Sequence, residues 1–134
     1  MQLKPIGSSF ISQIWPRVEK HISSGLEFSG GDFTAENVKV YLTLGQWLLI
    51  VVVGENEIKG ALTISFLNYP NDRVAFITAI GGRLISNKDT YRQLCEIAKS
   101  HGATKIQGAA RPSVVRLWRK LGFSEKYTIV ENKL

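Results

Sequence analysis

Three apolar runs of strand length follow one another with only short turns between them, and that succession most narrows the folds open to this chain. Gln46 to Val53 is β-branched and apolar, Gly54-Glu55-Asn56-Glu57 reads as a turn, and Ile58 to Phe66 resumes the strand pattern. Asn68-Tyr69-Pro70-Asn71-Asp72 is a second turn, after which Arg73 to Ile80 is a third run. Connections this short return the chain antiparallel, because a parallel neighbour needs a crossover of about a dozen residues. The sequence therefore predicts a three-stranded meander. In its middle strand Leu62, Ile64 and Phe66 alternate with Thr63 and Ser65, which predicts one buried face and one wetter face.

The segments around the meander carry helical spacing. Ile11, Ile14, Trp15, Val18 and Ile22 form one stripe after a short strand at Gln2 to Ile6, with Pro16 in the first turn of that helix or kinking it. Ser29-Gly30-Gly31-Asp32 is a turn, and Thr34 is a suitable N-cap for a short helix through Val38, Tyr41 and Leu42 that stops at Gly45. Beyond Gly81-Gly82, Tyr91, Leu94, Cys95 and Ala98 mark a helix ended by Gly102, and Thr104 to Ala109 is a strand. Pro112 then opens a helix with Val114, Leu117, Trp118 and Leu121 on one stripe, closed by Gly122, and a last strand is expected from about Lys126 to Val130. The order is β-α-α-β-β-β-α-β-α-β, an α/β (α+β) fold with a mixed, mostly antiparallel sheet flanked by helices. The crossover through Tyr91 to Cys95 should join parallel neighbours.

At 134 residues the chain suits one domain spanning 1–134. Its 44% apolar and 21% charged residues are ordinary globular composition. The apolar run Trp47 to Val53 is too short to span a bilayer, and the N-terminus lacks the pattern of a signal peptide, so the expectation is a soluble, non-exported protein without membrane contact. Cys95 is the single cysteine, and His21 and His101 lie far apart, which argues against a disulfide or a metal centre.

The formal charge of +6 is unevenly placed: residues 83–134 hold eleven Lys/Arg against four Asp/Glu, residues 1–82 six against seven. A basic C-terminal half suggests an anionic ligand, either a phosphorylated cofactor or a nucleic acid, or else a solvated face that maintains solubility.

The element order, with Leu117-Trp118-Arg119-Lys120-Leu121-Gly122-Phe123, resembles the GCN5-related N-acetyltransferase (GNAT) superfamily, whose last helix commonly ends in Leu-Tyr-x-Lys-Leu-Gly-Phe. Tyr69-Pro70, Gly81-Gly82, the helix end Ala98-Lys99-Ser100-His101-Gly102 and Arg111 are also similar to acetyltransferase-like proteins of tailed phages, some of them virion-associated. The resemblance implies acetyl-CoA in a cleft where Arg73 to Ile80 and Thr104 to Ala109 splay apart, with its pyrophosphate held by the loop Gly81 to Asp89 and the helix N-terminus behind it. The implied cofactor-binding residues are Ile80, Gly81, Gly82, Arg83, Asn87, Lys88, Arg111 and Arg116.

The chemistry implied by the family is less visible in these residues. The family's phosphate loop reads Arg/Gln-x-x-Gly-x-Gly/Ala, whereas Gly81-Gly82-Arg83-Leu84-Ile85-Ser86-Asn87-Lys88 holds those ingredients in another order. A glycine pair closing a strand also suits a bulge or turn. Acyl transfer to an amine calls for a base and for an acid to protonate the leaving thiolate, and the family commonly supplies a carboxylate on the fourth strand and a tyrosine on the last helix. Here that strand carries no acid, Thr78 reads as a satisfied structural hydroxyl, and Trp118 stands where the tyrosine would be. Tyr91 and Cys95 fall on an apolar stripe and read as core. Arg111, Arg116, Arg119 and Lys120 form a cationic group suited to CoA phosphates, a nucleic acid or an acidic protein, or to plain solvation.

Three functional expectations stay open, of which a plain nucleic-acid binder draws only on the charge asymmetry; the other two rest on the resemblance. One is a phage-type GNAT-like protein with degenerate motifs and a residual acyl-CoA site, acting through protein or nucleic-acid partners in the host cytoplasm or a virion. The other is an active acyl-CoA-dependent N-acetyltransferase, which requires a cleft between the two splayed strands free of filling side chains.

Overall fold

The computed structural model describes residues 1–27, 30–82 and 87–134. Five strands form one sheet: β1 (Gln2–Ile6), β2 (Trp47–Gly54), β3 (Glu57–Asn68), β4 (Arg73–Gly82) and β5 (Lys105–Gly108), in spatial order β1-β2-β3-β4-β5. The first three pairings are antiparallel and the β4–β5 pairing is parallel, as the short turns and the long crossover require. Glu55 and Asn56 both adopt positive φ (53° and 61°), the primed two-residue turn whose twist suits a hairpin.

Helices cover both faces. On one lie α1 (Ile11–Leu26), after a short 3-10 turn at Ser8–Phe10, and α2 (Ala35–Thr43). The stripe Ile11, Trp15, Val18, Ile22 and Leu26 packs with Val38 and Leu42 on Leu49, Val51, Ala61 and Ala79. Pro16 sits inside α1, beyond its first turn. Thr34 caps α2 in a reciprocal pair: its Oγ1 accepts from Asn37 N (3.1 Å), and Asn37 Oδ1 accepts from Thr34 N (3.0 Å). On the other face α3 (Lys88–Ser100) and α4 (Pro112–Arg119) place Leu94, Ala98 and Trp118 against Ile50, Leu62, Ile64, Ala75 and Ile77.

Three sequence expectations are corrected. Thr63 is fully buried, because α1 and α2 cover the face of β3 that the alternation left wet. Leu117 is exposed, so the stripe of α4 is carried by Val114, Trp118 and Leu121. Lys126 to Val130 joins no strand; residues 124–134 are exposed throughout and pair with nothing in the sheet, which leaves β5 at its edge. Among the described residues no helix is long and apolar enough to cross a membrane.

Candidate functional site

The strands β4 and β5 are fastened at one end and part at the other. At the fastened end Thr104 N donates to Arg73 O (2.8 Å), Thr104 Oγ1 donates to Asp72 Oδ1 (2.9 Å), and Lys105 Nζ lies 3.0 Å from Asp72 Oδ2. Hydrogen bonds from Lys105 and Thr104 hold the Asp72 carboxyl below the usual carboxylate range. Arg73 Nε donates to His101 O (2.9 Å), with the guanidinium 4.6 Å from the Phe66 ring.

Pairing then runs Val74↔Lys105, Ala75↔Ile106, Phe76↔Gln107 and Ile77↔Gly108, and stops. The next residue, Thr78, is a bulge: Ile77 pairs with Ile64 and Ala79 with Thr63, so Thr78 has no opposite number on β3. An extra residue bends a strand and reverses its alternation. Ala75 and Ile77 accordingly face α3 and α4, whereas Ala79 faces α1. From Thr78 to Gly82 β4 is paired only on its β3 side, and the chain opposite leaves β5 through Gly108, Ala109 and Ala110. The residues at that exit, Gly108, Ala109 and Ala110, are all small. The Trp118 indole lies over the vertex, where a Cβ on Gly108 would come within 2.9 Å of the ring.

The expected cofactor residues fall into three groups. Ile80, Gly81 and Gly82 end β4 on the unpaired stretch. Both glycines have a packing cause: a Cβ on Gly81 would meet His21 O of α1 at 1.9 Å, and one on Gly82, whose φ is +92°, would meet Lys59 O at 2.5 Å. Asn87 caps α3, its Oδ1 accepting from Thr90 N (2.9 Å), and Lys88 is the first helical residue and exposed. The next turn of α3 is tied to β1, with Leu3 N donating to Gln93 Oε1 (2.9 Å) and Gln93 Nε2 donating to Met1 O (3.1 Å). Leu3 and Gly82 share the register row Leu3↔Val52↔Gly60↔Gly82, so Gln93 stands about three strand spacings, roughly 14 Å, from the end of β4. Arg111 is the N-cap residue of α4, directly after Ala109 and Ala110, and Arg116 lies in its last turn. Arg83 lies outside the described residues, as do Leu84 to Ser86 of the expected phosphate loop.

The acid-base candidates are mostly accounted for. Thr78 Oγ1 lies 2.7 Å from Thr63 Oγ1 and donates to Thr63 O (3.1 Å). Tyr91 is half-buried with its ring 5.3 Å from Phe123, which in turn is 5.1 Å from Trp118. Burial, with a hydrogen bond to Cys95, pushes the Tyr91 hydroxyl well above the ordinary tyrosine range, so it stays protonated at neutral pH. His21 Nε2 is buried without a hydrogen-bond partner. Among the described residues no group of three His, Cys, Asp or Glu could hold a metal.

Sequence spacing gave no sign of the Thr78 bulge, because both faces of β4 are apolar and a phase reversal leaves no trace in such a run. The sequence reading did not single out Gly25; a Cβ there would meet the Ile80 backbone at 2.5 Å, which is how closely α1 lies on β4.

This architecture is shared with solved acetyltransferases. A structure described as a probable acetyltransferase superposes with a TM-score of 0.69 at 11% identity, covering 100% of this chain and 97% of the other. An aminoglycoside acetyltransferase from an uncultured soil metagenomic sample, in complex with sisomicin, gives 0.70 at 12% identity over 99% of this chain and 94% of the other. A predicted acetyltransferase with acetyl-CoA from Clostridium acetobutylicum gives 0.67 at 16% identity over 98% and 95%. No family model and no curated protein matches the sequence. The chain thus has the fold of GNAT-type acetyltransferases, as its element order implied.

Proposed function

We propose that this protein is an acyl-CoA-dependent N-acetyltransferase that transfers an acetyl group to an amine. The observation carrying this reading is the parting of β4 from β5 at the Thr78 bulge, which leaves the β5-side edge of the backbone from Thr78 to Gly82 without a strand partner, next to the small residues Gly108 to Ala110. Such an edge suits the amide groups of a pantetheine arm, which would extend the ladder as a strand does. The fit is supported further by Arg111 at the mouth and by Lys88 and Arg116, which place positive charge in the same half of the chain for the CoA phosphates. Bound acyl-CoA supplies the thioester.

The amine nitrogen attacks the thioester carbonyl; the C–N bond forms, the C–S bond breaks, and the sulfur leaves with the bonding pair. The ammonium proton passes to water, because β4 offers no carboxylate and the Thr78 hydroxyl is committed to Thr63. The role of this chain's residues is then positioning rather than proton transfer.

A second reading is binding of acyl-CoA without turnover, within an interaction role of the kind seen in virion-associated proteins. It is favoured by the indole of Trp118 at the vertex, a group with no acidic proton to offer a thiolate.

Calorimetric titration with acetyl-CoA, paired with thiol-release assays across a panel of amines, tests both. For the transferase, binding is expected to be abolished by Ala109→Tyr, which fills the opening from an exposed position. Its turnover should rise about tenfold per pH unit toward the acceptor's own pKa, near 10 for a lysine amine. Binding with no thiol release leaves the second reading. No binding ends both.

A further inference from the structure

The point where β4 and β5 part has no room for a further carbon on its α4 face. A Cβ built on Gly108 would stand 2.9 Å from Cζ3 and 3.1 Å from Cη2 of the Trp118 indole, and 3.6 Å from the Ile77 Cβ. No methyl group fits between the β5 backbone and the far edge of that ring without moving it. The ring is held in place. Trp118 is buried, shares a core with Leu94 and Ala98 of α3, and lies 5.1 Å from the Phe123 ring, while Phe123 N donates to Trp118 O (3.2 Å). On the opposite face, Thr63 and its register partner Ala79 are buried beneath α1 and α2.

Length and charge decide which part of a bound acyl-CoA reaches this point. From Gly82 back to Thr78 the edge without a β5 partner is about 13 Å long, at about 3.3 Å per residue. The pantetheine arm, about twelve bonds from its phosphate ester to the sulfur, has the reach of about four extended residues, or about 14 Å. Arm and edge therefore match, with the phosphates at one end and the thioester at the other. Exposed Lys88 follows Gly82 in the chain, whereas the vertex is made of Ile77, Gly108 and Trp118. A diphosphate is accommodated beside the cation and is costly to bury among apolar groups, so the acyl end points to the vertex.

This inference rests on the acyl-CoA binding proposed above and names the residue that selects the acyl group. We propose that Trp118 sets the length of the acyl chain, admitting acetyl and excluding butyryl and longer chains. The acetyl methyl rests against the far edge of the indole, and carbons beyond it collide with Cζ3 and Cη2 as a Cβ on Gly108 would. The indole has no proton to give a thiolate, but a fixed wall needs none.

Calorimetric titration of the native protein with acetyl-, propionyl-, butyryl- and hexanoyl-CoA reads this selection without an acceptor amine. In an open apolar site each added methylene strengthens binding, so a fall in affinity with chain length is the mark of a wall. Butyryl-CoA is expected to bind at least about tenfold more weakly than acetyl-CoA. Trp118→Phe withdraws the edge that carries Cζ3 and Cη2 while keeping an aromatic ring for Phe123, and it should remove most of that difference. Trp118→Leu, smaller again, should extend the range to hexanoyl-CoA, with melting curves showing that both variants are folded. Equal affinity of the native protein for all four thioesters overturns the proposal. Selection that survives unchanged in the folded variants overturns it as well, because another group then sets the length. Both of those results leave acyl-CoA binding standing, whereas failure to bind any of the four ends that reading and this one with it.

Discussion

The two sides of β4 are built to opposite ends. On its α1 side the strand is approached so closely that backbone meets backbone, with Gly25 against Ile80 and Gly81 against His21. On its β5 side the same residues have no strand partner, and the gap is bordered by Gly108, Ala109 and Ala110. Small residues serve both sides: on one they admit a neighbouring helix, and on the other they follow the parting of the strands, where acyl-CoA is proposed to lie. The difference teaches that a glycine or alanine beside a candidate ligand site has to be checked against the opposite face before it is credited to the ligand.

The sharpest way to break this comparison is Gly81→Ala. The new Cβ would stand 1.9 Å from the His21 carbonyl oxygen, so α1 would have to shift as a body. The expected cost is about 3 kcal/mol or more, a fall in Tm of roughly 10 °C or more by calorimetry. Ile129→Ala, on the exposed segment, should change Tm by less than about 2 °C, the scale of surface substitutions. If Gly81→Ala is tolerated while acetyl-CoA binding is lost, the glycine belongs to the ligand site and the packing argument fails.

A smaller effect is expected inside the bulge. Thr78→Val leaves the fully buried Thr63 hydroxyl without its side-chain partner, at a cost of about 1–3 kcal/mol. Replacing both threonines by valine should recover most of that loss, because no polar group is then stranded. A double variant as unstable as the sum of the singles would mean that the bulge needs the hydroxyls for its shape.

How much of this was legible in the sequence follows from where the signal resides. The meander could be read because turn length alone dictates antiparallel return, and the Thr34 cap because an N-cap acts through residues three apart. Thr63 was misjudged because alternation reports polarity and cannot report that a second helical layer covers the polar face. Lys126 to Val130 has the composition of a strand, but a strand exists only with a partner, and the anchoring of Phe123 and Glu125 to α4 is a tertiary fact. Of the candidate site, the ending of β4 at Gly81-Gly82 and the exit of β5 before Arg111 were visible. The bulge that parts the strands was not, since it depends on which residue of β3 opposes which of β4.

The smallest expected effect concerns the contact between α3 and the segment after α4, where the Tyr91 ring meets Phe123. Its hydroxyl is raised above the ordinary tyrosine value by burial first and the Cys95 hydrogen bond second. In the unfolded chain a tyrosine ionises near pH 10, while in the folded state it stays protonated beyond that point. The unfolded state therefore releases its proton earlier, so the stabilisation is fully present below about pH 10 and is lost as pH rises from there toward the folded value. Tyr91→Phe removes this ionisable group. Melting curves from about pH 9 to about pH 11 should fall more steeply for the native protein than for the variant, by about 1–2 °C given the partial exposure of the ring. Parallel curves would mean that Tyr91 meets solvent freely, and that the wall between α3 and the start of the C-terminal segment is looser than its ring contacts indicate.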